Sequence, residues 1–487
     1  MLLCLLALVV LAALGVGGWL YRDGGGEEGN VSGKPQAEEG PGPLDVRETV
    51  EKRPASAVGQ RAFRFSVDDM NPGDHFEMPG MWATDRILAK GINKTIVGLR
   101  IGTDASPGDE KWALGLDGPI CGYTRHVTGD NRTAVLFRAN DREKDAYCNQ
   151  VGLVDLDDGR LVWSARFPNS PAGPATGFTE GATGSDRPGV TLTHGTVAVT
   201  WGGGTIGYDM EKGASRWSSK ATAPCQDLGA AGGRALIIRQ KCGGADDSVP
   251  DASSRDVTYK VRKVDPETGR TLWTYSAADD VRDLTVPSTD PAVVAVAEGA
   301  TELTGLISLD DKGATRATIG LGGGAYIADC PTTDYLVVDD CPTIAVGADQ
   351  VYVRSANQPT KHLSNRITGF DLATGRATKE FRSGEGSLLR PVRMSGDQLL
   401  ALSLSNDHVA PNALVGLDPA TGREIPYLYF DLPSEAETLT TVYENDVVVQ
   451  NGRVFFGTKA ATRPAEDKGK RLIHLVLGVE SNAKDKP

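Results

Sequence analysis

Short runs of apolar and β-branched residues recur along the chain between turns rich in Gly, Asn and Asp, and no stretch beyond residue 60 sustains the 3.6-residue spacing of an amphipathic helix. That pattern predicts an all-β fold. Aligned on one another, the runs show a repeat in which a strand ends on Asp, with Gly four positions later and Trp eight positions later. Four copies keep this spacing: Asp104, Gly108, Trp112; Asp155, Gly159, Trp163; Asp209, Gly213, Trp217; and Asp265, Gly269, Trp273. Three worn copies follow at Asp310 with Gly313, Asp371 with Gly375 and Phe381, and Asp418 with Gly422 and Tyr427. Successive Asp positions lie 51, 54, 56, 45, 61 and 47 residues apart, a length that suits four short strands per copy. An eighth copy without the turn runs from Val447 to the strand 472–477. The expected architecture is a single eight-bladed β-propeller over 60–487, four antiparallel strands per blade, with seven blades if the terminal strands only complete another blade.

Turn chemistry accounts for the repeat. In Asp265-Pro266-Glu267-Thr268-Gly269 the carboxylate can cap turn amides, Pro fixes φ, and Gly takes the positive φ that reverses the chain. Each such turn would join the last two strands of a blade. The Trp on the returning strand would then reach the neighbouring blade as a packing wedge. The Asp-x-x-Thr-Gly-x-x-x-Trp ending resembles the repeats of pyrroloquinoline-quinone (PQQ) type propellers, over roughly residues 80 to 480. That family includes quinoprotein alcohol dehydrogenases and the assembly lipoprotein BamB, so the motif is specific for the fold and weak for any activity. Anchored proteins with such repeats are familiar in actinobacteria, and the Ala-, Gly-, Asp- and Arg-rich composition is consistent with such a source.

The N-terminus changes the picture. Residues 2–21 are uncharged and apolar, long enough to cross a bilayer as a helix, with Trp19 and Tyr21 suited to its interface. We expect an uncleaved signal anchor over 1–21; a cleaved secretion signal is the alternative, although no positive residues precede the apolar run. Residues 22–59 turn to Gly, Pro, Glu and Lys and read as a flexible, disordered tether. The six cysteines beyond Cys4 fit an oxidising compartment, and nearest-neighbour pairing as Cys121–Cys148, Cys225–Cys242 and Cys330–Cys341 closes loops within single repeats. Together these features predict a single-pass protein of the cell membrane with its propeller on the extracytoplasmic side. The absence of positive residues before the apolar run also leaves room for a cytoplasmic segment upstream of Met1. A net charge of −13 leaves no basic stripe for nucleic acid.

Candidate chemistry is sparse. The quinone-using members of the family carry an adjacent Cys-Cys disulfide over the cofactor, a Trp floor and a calcium site with an acidic base. No two cysteines here are adjacent, and the repeat Trp residues are committed to blade packing. PQQ and calcium are therefore not expected, and no catalytic, cofactor-binding or metal-binding residue is assigned. Oxygen-rich stretches at 155–159 and 68–74 lack the ligand spacing of an EF-hand, and the first lies on a repeat turn. The six His (His75, His126, His194, His362, His408 and His474) stand singly, and the triple Gly runs 202–204 and 322–324 are strand-end turns and not phosphate loops. Long connections at 168–189, 243–257 and 356–365 are the places where binding residues tend to sit. The reading is a non-catalytic binding or scaffold protein for a protein or cell-envelope partner. A quinoprotein oxidoreductase, or the sensor half of a signalling protein, are the rivals.

Overall fold

The computed structural model describes residues 41–483 apart from 67, 69, 103–105, 141–146, 171–187, 221–223, 244–256, 300–301, 329, 331–336, 359–362, 407–408, 433, 442–444 and 464–473. Among the described residues eight antiparallel sheets follow one another around a ring, and a ninth pairs the short strands His75–Glu77 and Ala460–Thr462. Blade 1 occupies 81–115, blade 2 120–166, blade 3 189–220, blade 4 225–276, blade 5 283–320, blade 6 326–382 and blade 7 387–430. Blade 8 takes its three inner strands, Asn445–Gln450, Arg453–Thr458 and His474–Ser481, from the C-terminal end of the chain. Its outer strand, Gly59–Ser66, comes from the other end, pairing antiparallel with His474–Ser481 from Gly59 opposite Ser481 to Ser66 opposite His474. The turnless eighth copy is thus a full blade, completed by residues some four hundred positions earlier.

The ring has no single central core. Among the described residues eight apolar clusters form, one at each blade-to-blade interface, including the one between blades 8 and 1. Each sheet therefore buries both faces. The inner strands accordingly read as nearly unbroken apolar runs, such as Ala292–Ala297, every residue of which is buried. Outer strands have one wet face and alternate, as Ser215–Lys220 does.

The repeat turns hold these sheets at a fixed spacing. Asp265 Oδ1 accepts hydrogen bonds from the Glu267 and Thr268 amides at 3.0 and 2.9 Å, and Gly269 adopts φ +69°. Trp217 of blade 3 lies flat on Gly269 of blade 4, so that a Cβ there would fall 2.6 Å from its ring, and its indole N–H donates to Pro266 O at 2.8 Å. Trp163 meets Gly213 in the same way and donates to Met210 O at 2.7 Å; Trp112 packs on Gly159, and Trp273 on Gly313. In blade 8 the place of the Trp is taken by Phe63, whose ring covers Gly108 of blade 1. The worn copies differ. Phe381 turns into the core between blades 6 and 7, and Gly422 faces Lys379 instead. Asp104 lies outside the described residues.

No helix among the described residues is long and apolar enough to cross a membrane; the anchor expected over 1–21 lies outside them. The tether expected over 22–59 is corrected in its second half, because residues 41–58 lie on the propeller. The composition is too poor in apolar residues to signal this, and the segment docks through ion pairs and main-chain hydrogen bonds.

Candidate binding face

Strands alternate in direction, so the links between first and second and between third and fourth strands of every blade emerge on one face, which we term the turn face. The second-to-third links and the blade-to-blade links emerge on the other, the loop face. Every long connection noted in the sequence (168–189, 243–257, 356–365) belongs to the loop face. The bodies of these connections lie outside the described residues, but their feet do not.

Of these three connections 243–257 has a disulfide at its foot, and the link 139–147 and the insertion 328–343 have one each. Cys148 begins the third strand of blade 2, directly after the link 139–147, and is bonded to Cys121 at the start of the blade's first strand. Cys242 precedes the link 243–257 and is bonded to Cys225 across the register. Cys330–Cys341 closes the insertion 328–343, which interrupts the first strand of blade 6 between Tyr326–Ile327 and Ile344–Val346. The bonds Cys121–Cys148 and Cys225–Cys242 sit at the loop-face end of their strands.

The third insertion turns inward. Val338 O accepts from the amide of Val286, on the innermost strand of blade 5, and the next residue, Asp339, reaches three other blades. Its Oδ2 lies 3.3 Å from His126 Nε2 of blade 2, 3.0 Å from Thr191 Oγ1 of blade 3 and 3.3 Å from the Gly232 amide of blade 4. Burial alone would raise the Asp339 pKa; the hydrogen bond and charge of His126, with Arg125 and the Gly232 amide, overcome it and hold the carboxyl below its ordinary value. Asp340 lies 3.8 Å from Arg125 and 3.9 Å from Lys459. Next to them Asp446 of blade 8 takes hydrogen bonds from the buried Lys90 ammonium at 3.0 Å and from the Tyr123 hydroxyl at 3.1 Å. Burial lowers the Lys90 pKa against the pull of Asp446, and burial together with Asp446 and Asp340 pushes Tyr123 well above the usual phenol value. The axis is therefore bridged by a charge-paired network in which each carboxylate has a cationic or imidazole partner. It locks the insertion in place.

These contacts decide how a quinone would fare. The three disulfides join residues 27, 17 and 11 apart, and the axial position is taken by 338–341 with Asp339 bonded to three blades. Trp112, Trp163, Trp217 and Trp273 lie between blades. The residues present do not fit PQQ. The oxygen-rich stretches are likewise occupied. Asp155 caps the amides of Asp157 and Asp158 and pairs with Arg160, Asp157 accepts from Asn131 and Thr84, and Asp74 accepts from Asn71. Of the lone histidines, His75 bonds Thr462, His126 enters the axial network and His194 bonds Asp45. His362 and His408 lie outside the described residues. No local pattern marked Asp339, Lys90 or Asp446, because their partners in this network are 107 to 356 positions away; the pair Asp339-Asp340 beside Cys341 was the single visible hint.

Comparison with known proteins agrees with the ring of repeats. The family of the outer membrane protein assembly factor BamB, a PQQ-repeat family, matches over 148–312 and 257–472. The chain belongs to this family. No curated protein matches it in a sequence comparison. Solved structures similar to this member of the family include BamB from Moraxella catarrhalis, at 12% identity over 87% of this chain and 99% of that one, with a TM-score of 0.43. Quinohemoprotein alcohol dehydrogenase from Comamonas testosteroni is similar at 12% identity over 88% and 78%, with a TM-score of 0.43. A europium-containing methanol dehydrogenase is similar at 10% identity over 87% and 93%, with a TM-score of 0.46. Similarity at this level bears on no activity.

Proposed function

We propose that this BamB-family chain is a non-catalytic scaffold whose loop face docks a protein partner on the extracytoplasmic side of a membrane, to which residues 1–21 anchor it. The observation that carries the reading is the asymmetry of the disc. Two disulfides, Cys121–Cys148 and Cys225–Cys242, fasten the feet of loop-face links and the third closes the insertion that bridges the axis, whereas the turn face is crossed by residues 41–54. Cross-links that fix loop bases limit the entropy lost when the loops meet a partner. Three disulfides also fit an oxidising compartment. The family description names an assembly factor, and a scaffolding role in envelope assembly is consistent with it.

The test shortens 171–187 and 244–256 to brief Gly-Ser links, separately and together. Thermal melting should stay within a few degrees of the parent, since the strands flanking each segment, Arg160–Arg166 and Gly189–Thr193, Leu236–Cys242 and Thr258–Val264, are left intact, while recovery of cross-linked partner from native membranes should fall. Undiminished recovery from the doubly shortened protein would overturn the docking face, and PQQ-dependent dye reduction by the purified parent would overturn the non-catalytic reading.

A further inference from the structure

The segment 41–54 crosses the turn face, opening with a turn at 42–45 that the Asp45 amide closes on Gly42 O at 3.1 Å. Val46 forms an antiparallel bridge with Thr128 of blade 2, flanked by hydrogen bonds from the Arg47 amide to Val127 O at 2.8 Å and from the Gly129 amide to Asp45 O at 2.9 Å. Side chains then take turns. Asp45 Oδ1 lies 2.7 Å from His194 Nδ1 of blade 3, Glu48 receives a two-pronged contact from Arg234 of blade 4, and Glu51 pairs with Arg393 of blade 7 at 2.5 Å. Between them Arg47 donates to Asn131 Oδ1 of blade 2 and Ala83 O of blade 1, each at 2.7 Å. Glu51 is the deepest anchor, with no side-chain exposure, and it also accepts the Gly452 amide of blade 8 at 2.6 Å.

Carboxylates thus recur every third residue, at 45, 48 and 51, each met by a different blade. At no more than about 3.3 Å per residue they span at most about 20 Å, and six of the eight blades take part. This is the way a strand-adding receptor reads a peptide, with the main chain for affinity and alternating pockets for specificity. Just beyond Glu51, Lys52 and Arg53 are exposed, so the peptide ends where a protease could reach the chain.

We propose that the turn face is a recognition groove for an extended acidic peptide with carboxylates three residues apart, filled here in cis by 41–54 and able to take the same sequence in trans once the cis segment is severed. The proposal concerns the face opposite the loops and is independent of the function proposed above. For the test, a site-specific protease sequence is inserted after Ala55 of the full chain, which is then cut and passed through size exclusion. The N-terminal fragment should co-elute with the disc at 20 mM salt and separate at 0.5 M, because the Asp45 and Glu48 pairs are exposed and screened. The emptied disc should bind a labelled peptide spanning 41–54, the uncut chain should not, and a peptide carrying D45N, E48Q and E51Q should bind at least tenfold more weakly. Unfolding of the disc on cutting, equal binding of the neutralised peptide, equal binding by the uncut chain, or no binding at all would each overturn the groove.

Discussion

Substituting Ala for Gly269 probes the blade wedge most sharply. The residue sits at φ +69°, where any Cβ costs about 1 kcal/mol. The new methyl would also fall 2.6 to 2.8 Å from three atoms of the Trp217 ring, and the indole cannot slide away because its N–H is held by Pro266 O on the same turn. Overpacking of this kind costs about 1–3 kcal/mol, for a total of about 2–4 kcal/mol. Gly422 supplies the control. Its turn, Asp418-Pro419-Ala420-Thr421-Gly422, has the same design and a φ of +76°, but its neighbour across the interface is the flexible tip of Lys379 at 3.2 Å. Only the backbone cost of about 1 kcal/mol should remain there. Urea denaturation of G269A, G422A, W217A and G269A/W217A forms a cycle. W217A alone should lose about 3–5 kcal/mol, and in its background G269A should cost only the backbone increment, a coupling of about 1–3 kcal/mol. Additivity within about 0.5 kcal/mol, or equal losses for G269A and G422A, would refute the wedge.

Other perturbations read other parts of the structure. Arg239 is fully buried, donating to Asp283 at 2.9 Å and to the carbonyls of Leu228 and Leu284, so R239M should lose about 3–5 kcal/mol in urea titrations by stranding Asp283. R239M/D283L should recover most of that loss, and failure to do so would show that the pair is not the cause. Replacing Cys330 and Cys341 by Ser opens an 11-residue loop worth about 3 kcal/mol. It should also speed hydrogen exchange at the Gly232 amide, which Asp339 accepts; unchanged exchange would mean that the insertion is held without the disulfide. Acid should unfold the disc in a way that reports the turns. Asp265 is held below its ordinary pKa by the Thr268 amide, Asp371 by the Thr374 hydroxyl and Asp418 by the Thr421 hydroxyl. Groups lowered in the native state bind fewer protons there, so their stabilisation is present above the ordinary carboxylate range and is lost as pH falls through and below it. The melting temperature should therefore drop between about pH 5 and 3, less steeply in D265N, and a flat profile would contradict this.

The parts of this fold that were legible in the sequence are those built from neighbours. Asp265 through Gly269 form their turn from five consecutive residues, and the three disulfides close loops inside single repeats, so spacing alone could find them. Blade 8 was half legible. Its inner strands appear as an apolar run near 447–456, but the outer strand 59–66 is alternating and short, and its partner lies at the other end of the chain. Phe63 consequently takes the wedge position with no Asp/Gly/Trp signature to announce it. A signal was available for the strand under four of the rings: Gly98, Gly207, Gly416 and Gly478 give Trp112, Trp217, Tyr427 and Phe63 room that a Cβ would fill. The strap 41–54 was illegible for a different reason. Composition measures how much apolar surface a segment can bury, and this one is held by Asp45, Arg47, Glu48 and Glu51 through partners up to 401 positions away. The axial lock shares that property, since its carboxylates and cations come from different blades.

The docking face is tested most directly by site-specific photo-crosslinking in native membranes. A photoreactive amino acid placed singly at the exposed loop-face positions Pro168, Asn357 and Asn406 is compared with the same probe at the exposed turn-face positions Glu211, Glu267 and Asp311. The scaffold reading predicts one recurrent protein adduct from the loop-face set and none from the turn-face set. A recurrent adduct from the turn-face set alone, or no adduct from either, would contradict it.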